Sequence, residues 1–340
     1  MKLLARMLLI ALAAYPLVGM SRSASAQQIT GAGSTFVYPV LAQWSEAYRR
    51  AAKIRVNYQS IGSGGGIAQI KAGTVTFGAS DMPLDAAQLG QAGLAQFPSV
   101  IGGIVPVVNL PGVKPGELHF TGALIADIYL GTIKKWNDPR IASLNRGIAL
   151  PDLAVTVVHR SDGSGTTFNW LDYLSKVSPE WKAKIGEGTA IAWPAGVGGK
   201  GNEGVAAYVG RIKGSIGYVE YAYVMQNKMT YALVQNQAGQ FVPPTTAAFQ
   251  AAAASADWTH AKDFGLVMTN APGDQAYPIT ATTFILMHKH PRDAAQSQQA
   301  LAFFKWAFEN GQPMAEQLDY VPLPEPLVKQ IEAYWQAEIH

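Results

Sequence analysis

The chain has no cysteine among its 340 residues, and this absence excludes a disulfide framework. Nothing near the N-terminus can therefore carry a lipoprotein anchor, and we expect none. No run of eighteen or more apolar residues follows the first 26, so no membrane-spanning helix is predicted. Fixed-period repeats and low-complexity tracts are also missing, apart from an alanine-rich stretch at 247–256 that favours a helix.

Residues 1–26 have the pattern of a secretory signal peptide. Lys2 and Arg6 precede an apolar run over 7–20, and Ala-Ser-Ala at 24–26 has the A-x-A form of a cleavage site. We expect cleavage after Ala26 and export of the mature chain, most simply to a bacterial periplasm.

The predicted mature chain also lacks an excess of charge of either sign. The formal net charge of +3 belongs to the precursor, because the segment removed holds Lys2, Arg6 and Arg22 and no acid. The mature chain then carries 23 basic and 23 acidic residues. This balance gives no support for binding to nucleic acid or to an anionic membrane.

Strand-like and helix-like patterns alternate along the remaining chain. About 314 residues, nearly half of them apolar, are enough for two domains with a large core. Strands are predicted at 53–61, 98–110, 155–160, 216–222 and 279–288, and helices at 36–52, 64–72, 166–174, 291–311 and 325–335. This alternation predicts an α/β protein with mainly parallel sheets.

Four loops that lead from strands into helices have an unusual composition. All four combine glycine with serine or threonine, and the loops are GAGSTF (31–36), IGSGGG (61–66), GASDMP (78–83) and RSDGSGTT (160–167). In α/β proteins ligands bind in such loops, beyond the carboxyl ends of the strands. Ser, Thr and Gly before a helix are also ordinary capping residues, so any single loop has a structural explanation. Their recurrence, together with an arginine in the last loop, indicates an anion site built on helix N-termini.

Catalytic and metal-binding motifs are poorly matched. GAGSTF has only the first two glycines of a dinucleotide-binding fingerprint, no P-loop motif occurs, and neither Gly-Ser-Gly stretch has the spacing of a nucleophile elbow. His159 next to Arg160 is a weak candidate for a base. His288 and His290 form an H-x-H, but no third ligand is patterned nearby, so we expect no metal and no cofactor. Binding is favoured over catalysis.

Nine segments in order along the chain resemble the periplasmic phosphate-binding protein of ABC-type phosphate uptake systems. They are TGAGSTF (30–36), VNYQSIGSGGG (56–66), FGASDMPL (77–84), FPSVIGGIVPVVN (97–109), DIYLGTIKKWND (127–138), RSDGSGTT (160–167), WPAGVGGKGNEGVAAYV (193–209), IGYVEYAY (216–223) and YPITATTFIL (277–286). The resemblance covers essentially the whole mature chain. It implies a type II periplasmic-binding-protein fold, in which two α/β lobes joined by crossing strands close on one phosphate.

The resemblance also implies a set of ligand-binding residues. These are Ser34, Thr35, Phe36, Ser63, Asp81, Arg160, Ser164, Gly165 and Thr166, with Asp162 as the partner of Arg160. Alanine is also familiar at position 34, which matters little if the backbone N–H makes the contact. The implied partners are inorganic phosphate and the membrane subunits of an ABC importer, and we expect a monomer.

Asp81 has the wrong sign for an anion site unless the ligand keeps a proton. An ionised carboxylate only accepts hydrogen bonds, and at neutral pH phosphate has a proton to donate whereas sulfate has none. A carboxylate and a sulfate oxygen about 4 Å apart repel by roughly 4 kcal/mol at an effective dielectric of 20. This energy corresponds to nearly a thousandfold in affinity. Asp81 is therefore predicted to exclude sulfate.

The lobe limits and two other functions are further expectations. Residues 104–109 and 280–287 are the predicted crossing strands, which gives lobe 1 residues 27–108 and 284–340 and lobe 2 residues 109–283. A secreted phosphohydrolase could use the same anion-binding loops, and a binding protein for another oxyanion is opposed by Asp81 alone.

Overall fold

The computed structural model describes residues 28–340. The predicted signal peptide and its cleavage site lie outside this range. Within it the strands are β1 (Gln28–Gly33), β2 (Arg55–Ser60), β3 (Phe77–Ser80), β4 (Leu94–Val108), β5 (Leu118–Phe120), β6 (Thr156–Arg160), β7 (Val197–Gly199), β8 (Ser215–Glu220), β9 (Thr230–Gln235), β10 (Phe241–Val242) and β11 (Thr280–His288).

Helices follow most of these strands. They are α1 (Tyr38–Ala52), α2 (Ser63–Ala72), α3 (Ala86–Ala92), α4 (Gly122–Tyr129), α5 (Pro139–Leu144), α6 (Gly165–Val177), α7 (Pro179–Lys184), α8 (Gly201–Arg211), α9 (Tyr221–Gln226), α10 (Thr246–Ala253), α11 (Ala294–Asn310), α12 (Gln312–Glu316) and α13 (Glu325–Glu338), with one 3-10 helix at Lys262–Phe264. The predicted α/β class is confirmed. Between residues 28 and 340, no helix combines the length and the apolarity that crossing a bilayer requires.

The strands form two sets that are joined through β4. Their order is β2-β1-β3-β11-β4-β8-β6-β7, with β9 pairing beside this path to β4, β5 and β10. Pairs within each set, such as β1 with β2 and β3 or β6 with β8 and β7, are parallel. The pairs that involve β4 or β11 in this path are antiparallel.

Strand β4 reaches from one set to the other because it is fifteen residues long and buried at every position. Its first part pairs with β11, from Leu94 opposite His288 to Gly103 opposite Thr280. Its last part, residues 104–108, pairs with β8. Near the middle the register with β11 shifts at Thr283, where Pro98 cannot donate to the ladder.

The parallel pairing brings the predicted loops to one edge of each strand set. Parallel strands end at the same edge, so the residues that follow β1, β2 and β3 lie together. These residues are the first three of the four loops that the sequence singles out. The fourth follows β6, whose neighbour β8 ends at the same edge.

Aromatic side chains fill much of the core on both sides of β4. In the first set Phe97 packs edge-on against Phe304 and Trp335, at ring-centroid distances of 5.6 and 5.0 Å. In the second set Trp170 stacks on Tyr218 at 4.8 Å. Such pairs add about 0.5–1.5 kcal/mol each beyond the burial of their area. Aromatic packing therefore stabilises both strand sets.

The turn after β1 requires glycine at position 33. Its φ is +140°, and a Cβ there would lie 2.1 Å from the carbonyl oxygen of Ala79 in the neighbouring strand. Backbone cannot give way as a flexible side chain can. We expect Gly33→Ala to lower the free energy of unfolding by about 2–4 kcal/mol.

The matched control is Gly90→Ala within α3, where a Cβ would meet no atom within 4 Å. Alanine is the better helix former, so the control is expected to stabilise by up to about 1 kcal/mol. Urea unfolding curves measure both variants. Equal effects of the two substitutions would contradict the steric account of Gly33.

Candidate functional site

The first loop turns directly out of β1 and is buried. Ser34 donates its backbone N–H to the Ala79 carbonyl at 2.9 Å, which anchors the loop on β3. Its hydroxyl oxygen accepts from the N–H of Phe36 at 2.9 Å and donates to Asp81 Oδ1 at 2.5 Å. Thr35 lies between them with 1% of its surface exposed. The loop thus presents the Ser34 hydroxyl to Asp81.

Ser63 connects the second, third and fourth loops. It is the first residue of α2, and its hydroxyl oxygen accepts from the backbone N–H of Asp81 at 3.2 Å and of Gly165 at 3.0 Å. A Cβ on Gly165 would lie 2.6 Å from that oxygen, so only glycine permits this approach. Residue 64 also donates to the carbonyl of residue 163 at 2.9 Å. Loops from the two strand sets are therefore in direct contact.

Arg160 ends β6 and is held by Asp162. Its Nε and Nη2 donate to the two carboxylate oxygens at 2.7 and 2.5 Å, a bidentate pair, and Nη1 lies 3.4 Å from Thr166 Oγ1. Only 1% of the arginine side chain is exposed. Burial of Asp162 works against ionisation, but the hydrogen bonds and charge of Arg160 and the N–H of Gly201 together lower its pKa.

The start of α6 supplies the remaining predicted donors. Ser164 is its N-cap, and the hydroxyl oxygen accepts from the N–H of Thr167 at 3.0 Å. The capping explanation of this serine therefore holds, and the hydroxyl proton is still available as a donor. The N–H groups of Gly165 and Thr166 lie in the first turn, at the positive end of the helix dipole.

Hydrogen bonds directly connect eight of the ten predicted positions, in two groups that meet at the junction of the two strand sets. Ser34 reaches Asp81 directly, Ser63 bridges to Gly165, and Arg160 reaches Thr166. Phe36 and Asp162 join through Ser34 and Arg160. Thr35 joins Thr166 through Asn202, and Ser164 joins Arg160 through Thr167 and Tyr218.

Asp81 is a buried acid in an environment that opposes its charge. Burial raises the pKa of Asp81 to about 6, against the lowering effect of hydrogen bonds from Ser34 and Thr283 and of the charge of Arg160. Both of these hydroxyls contact Oδ1, at 2.5 and 2.7 Å. The closest side-chain donor to Oδ2 is Ser63 Oγ at 3.4 Å. Oδ2 is thus the carboxylate oxygen with capacity to accept from a ligand.

Sequence reasoning missed three residues of this cluster. Asn202, at the start of α8, donates to Thr35 Oγ1; Thr283, in β11, donates to Asp81; and Glu220 ends β8 behind the first loop. The stretch GKGN before Asn202 has the same small-residue signature as the four loops and could have drawn attention to it. Thr283 and Glu220 lie in strands, where their letters resemble those of ordinary core positions.

The histidines considered as a base or as metal ligands make contacts of other kinds. His159 stacks on Trp193 at a ring-centroid distance of 4.7 Å, and burial lowers its pKa. His288 bonds through Nε2 to the Ile70 carbonyl at 2.7 Å. Among residues 28–340, no group of three or more His, Cys, Asp or Glu side chains is arranged to hold a metal ion.

Two strand sets joined through a long strand, with strand-end loops meeting between them, define the architecture of a two-lobed binding protein. The model of the PBP superfamily domain matches residues 20–310. A phosphate-binding protein from Stenotrophomonas maltophilia has the same fold at a TM-score of 0.66 and 17% identity, covering 91% of this chain and 94% of that one. A high-affinity periplasmic phosphate-binding protein crystallised with phosphate has a TM-score of 0.70 at 20% identity, covering 90% and 93%.

Relatives at higher identity define the family. The phosphate-binding protein PstS of Xylella fastidiosa is 64% identical over 311 residues, 92% of this chain and 85% of the relative. The PstS protein of Pasteurella multocida is 56% identical over 314 residues, 92% and 91%. The chain belongs to the PstS family of phosphate-binding proteins within the PBP superfamily.

Glu220 is a second buried acid, and the hydroxyl of Tyr320 lies beside it. That hydroxyl lies 2.6 Å from the Phe36 carbonyl and 2.8 Å from Glu220 Oε2. Glu220 Oε2 also accepts from the backbone N–H of Ala222 at 3.0 Å. Burial raises the pKa of Glu220 well above its ordinary range, and the charges of Asp81 and Asp319 raise it further.

The free energy of unfolding should therefore depend on pH at this residue. A folded-state pKa above the unfolded value stabilises the protein fully below about pH 4.5, and this stabilisation is lost as pH rises toward the folded pKa. We expect Glu220→Gln to remove that loss. The difference between variant and wild type should then change by about 1.4 kcal/mol per pH unit above pH 4.5, measured by urea unfolding. Parallel stability curves would show that Glu220 is ionised in the fold.

Proposed function

We propose that this protein binds inorganic phosphate in the bacterial periplasm and delivers it to the membrane subunits of an ABC phosphate importer. The observation that carries the proposal is a buried carboxylate, Asp81, among hydroxyl, N–H and guanidinium donors from both strand sets. The names and ligands of the relatives support it. Delivery to an importer rests on the family and on the predicted signal peptide.

The donor set is suited to an anion with several charged oxygens. Removing such an anion from water costs several kcal/mol or more unless its oxygens are satisfied, so a dry site needs many donors. The proposed ligand contacts are the hydroxyls of Thr35, Ser63, Ser164 and Thr166, the N–H groups of Phe36, Gly165 and Thr166, and the guanidinium of Arg160, with Ser34 supporting the first loop. Asp162 orients Arg160 and partly neutralises it.

Asp81 supplies the choice between oxyanions. Its Oδ2 accepts the proton that phosphate retains at neutral pH, whereas sulfate has no proton to offer and is repelled. Arsenate retains a proton in the same way and is not excluded by this mechanism. The raised pKa adds a condition: only the ionised form of Asp81 discriminates.

The cleft would close on the ligand as a hinge. We propose that lobe 1 comprises residues 27–108 and 284–340 and that lobe 2 comprises residues 109–283. Contacts such as Gly165 N–H to Ser63 Oγ would then form between lobes on closure, and phosphate bound to both lobes would favour the closed form.

Calorimetry on the mature protein tests the proposal directly. Tight binding of phosphate with weak binding of sulfate is the expected result, and tight sulfate binding without phosphate binding would overturn it. The alternative of a secreted phosphohydrolase is tested by a phosphatase assay on the same preparation. No turnover is expected, because the cluster holds no nucleophile with an oriented base.

Asp81→Asn should lose selectivity rather than phosphate affinity. The amide can donate to sulfate, so we expect sulfate affinity to rise by about a hundredfold or more while phosphate affinity falls far less. Competition calorimetry at pH 7.5 measures both constants. Selectivity equal to that of the wild type would exclude Asp81 as the discriminating residue.

The same carboxylate predicts a pH dependence of sulfate binding in the wild type. Because the protonated acid can donate, sulfate affinity should rise about tenfold per pH unit from pH 8 to 6 and level off below about pH 6. The control is Asp81→Asn, which should show no such rise. A wild-type sulfate affinity that is constant with pH contradicts the mechanism.

Arg160→Ala should weaken phosphate binding because it removes a buried charge-assisted donor and leaves Asp162 without its partner. A loss of at least about tenfold is expected. The control is Arg140→Ala, which removes a half-exposed arginine that pairs with Asp127 and Asp138 and with none of the predicted site residues. Wild-type affinity in Arg160→Ala would show that hydroxyls and N–H groups suffice.

A further inference from the structure

Asn202 lies in the first turn of α8 and is fully buried. Both polar atoms of its side chain have partners. Oδ1 accepts from the backbone N–H of Glu220 at 3.0 Å, and Nδ2 lies 2.7 Å from Thr35 Oγ1 and 3.3 Å from Thr166 Oγ1. The amide thus stands between the second strand set and the first loop.

The orientation of the amide is fixed by chemistry. A backbone N–H can only donate, so the side-chain atom that faces Glu220 must be the oxygen. The amide nitrogen then has to face the hydroxyls of Thr35 and Thr166. A flipped amide would place two donors against each other and leave its oxygen to compete for the hydroxyl protons.

This arrangement determines what the hydroxyl of Thr35 can do. A hydroxyl oxygen has two lone pairs and one proton. At Thr35 two donors of Asn202 face the oxygen, Nδ2 at 2.7 Å and the backbone N–H at 3.1 Å. With both lone pairs engaged, the hydroxyl has only its proton left and acts purely as a donor.

We infer that Asn202 is a positioning residue for phosphate: it fixes the Thr35 hydroxyl as a donor to an ionised phosphate oxygen and couples that donor to α8. The inference rests on the proposed function. Thr35 follows β1 and Asn202 follows β7, so the contact spans the two strand sets. The polarity of Thr35 is then set only when the two sets are together, and an oriented donor is gained on closure.

The effect should appear as a coupling between the two residues. Asn202→Ala frees the Thr35 hydroxyl to point elsewhere, and we expect phosphate affinity to fall about 10- to 100-fold. Thr35→Val removes the hydroxyl at nearly constant volume. In the Thr35→Val background, Asn202→Ala should cost less than about threefold more, because there is no hydroxyl left to orient.

Asn202→Asp gives a second test that keeps the size of the side chain and the acceptor for Glu220 N–H. An oxygen in place of Nδ2 attracts the Thr35 proton away from the ligand and adds a negative charge. We expect a larger loss of phosphate affinity than in Asn202→Ala, by about another tenfold. Equal losses of phosphate affinity in Asn202→Ala and Asn202→Asp would show that Asn202 acts only through packing.

The control for general destabilisation is Asn236→Ala. Asn236 is also buried, and its Nδ2 donates only to carbonyl groups of residues 273, 274 and 276. The Asn236→Ala substitution should lower the thermal midpoint of the ligand-free protein yet leave phosphate affinity unchanged. Isothermal titration with inorganic phosphate and thermal unfolding without it, on all variants, separate the two effects.

The outcomes are distinguishable from failure of the proposed function. If the wild type does not bind phosphate, both ideas are wrong. If the wild type binds and Asn202→Ala binds equally well, or if its loss simply adds to that of Thr35→Val, the positioning role alone is overturned.

Discussion

The central constraint on this structure is the cost of burying the carboxylate of Asp81, beside which the proposed function places an anion. Neither group can be left without partners, because an unsatisfied buried charge costs several kcal/mol. The surroundings of Asp81 meet this demand with hydroxyls, which can turn either end toward a neighbour. For each of these hydroxyls, the surrounding fold determines whether it donates its proton to a given neighbour or accepts a hydrogen bond through its oxygen.

Backbone N–H groups set the direction of several of these hydrogen bonds. The N–H groups of Phe36, Gly165 and Thr167 each donate to a serine hydroxyl, so each of those hydroxyls keeps its proton for another partner. Secondary structure thereby sets hydrogen-bond direction at the site. Side chains complete the pattern, among them Asn202 where the two strand sets meet, Thr283 at Asp81, and the pair formed by Arg160 and Asp162.

The sequence predicted the four loops well because their signals are local. Glycine with serine or threonine between a strand and a helix is visible within six or eight letters, and the parallel pairing that gathers such loops follows from the alternating pattern. Thr283 escaped detection because its partner Asp81 lies 202 residues earlier in the chain. Glu220 escaped because its partner Tyr320 lies one hundred residues later in the chain. Tertiary pairing, which no short pattern carries, determines both.

The position of β11 also affects the order in which the chain can fold. This strand, made of residues 280–288, lies between β3 and β4 in the sheet, although those two strands are near the start of the chain. Until it arrives, both neighbours have a hydrogen-bonding edge without a partner, and such edges are prone to pair with other chains. Pairing across so long a separation in sequence is slow. A nascent chain that stops before residue 280 therefore cannot complete its first sheet and is the form most exposed to aggregation.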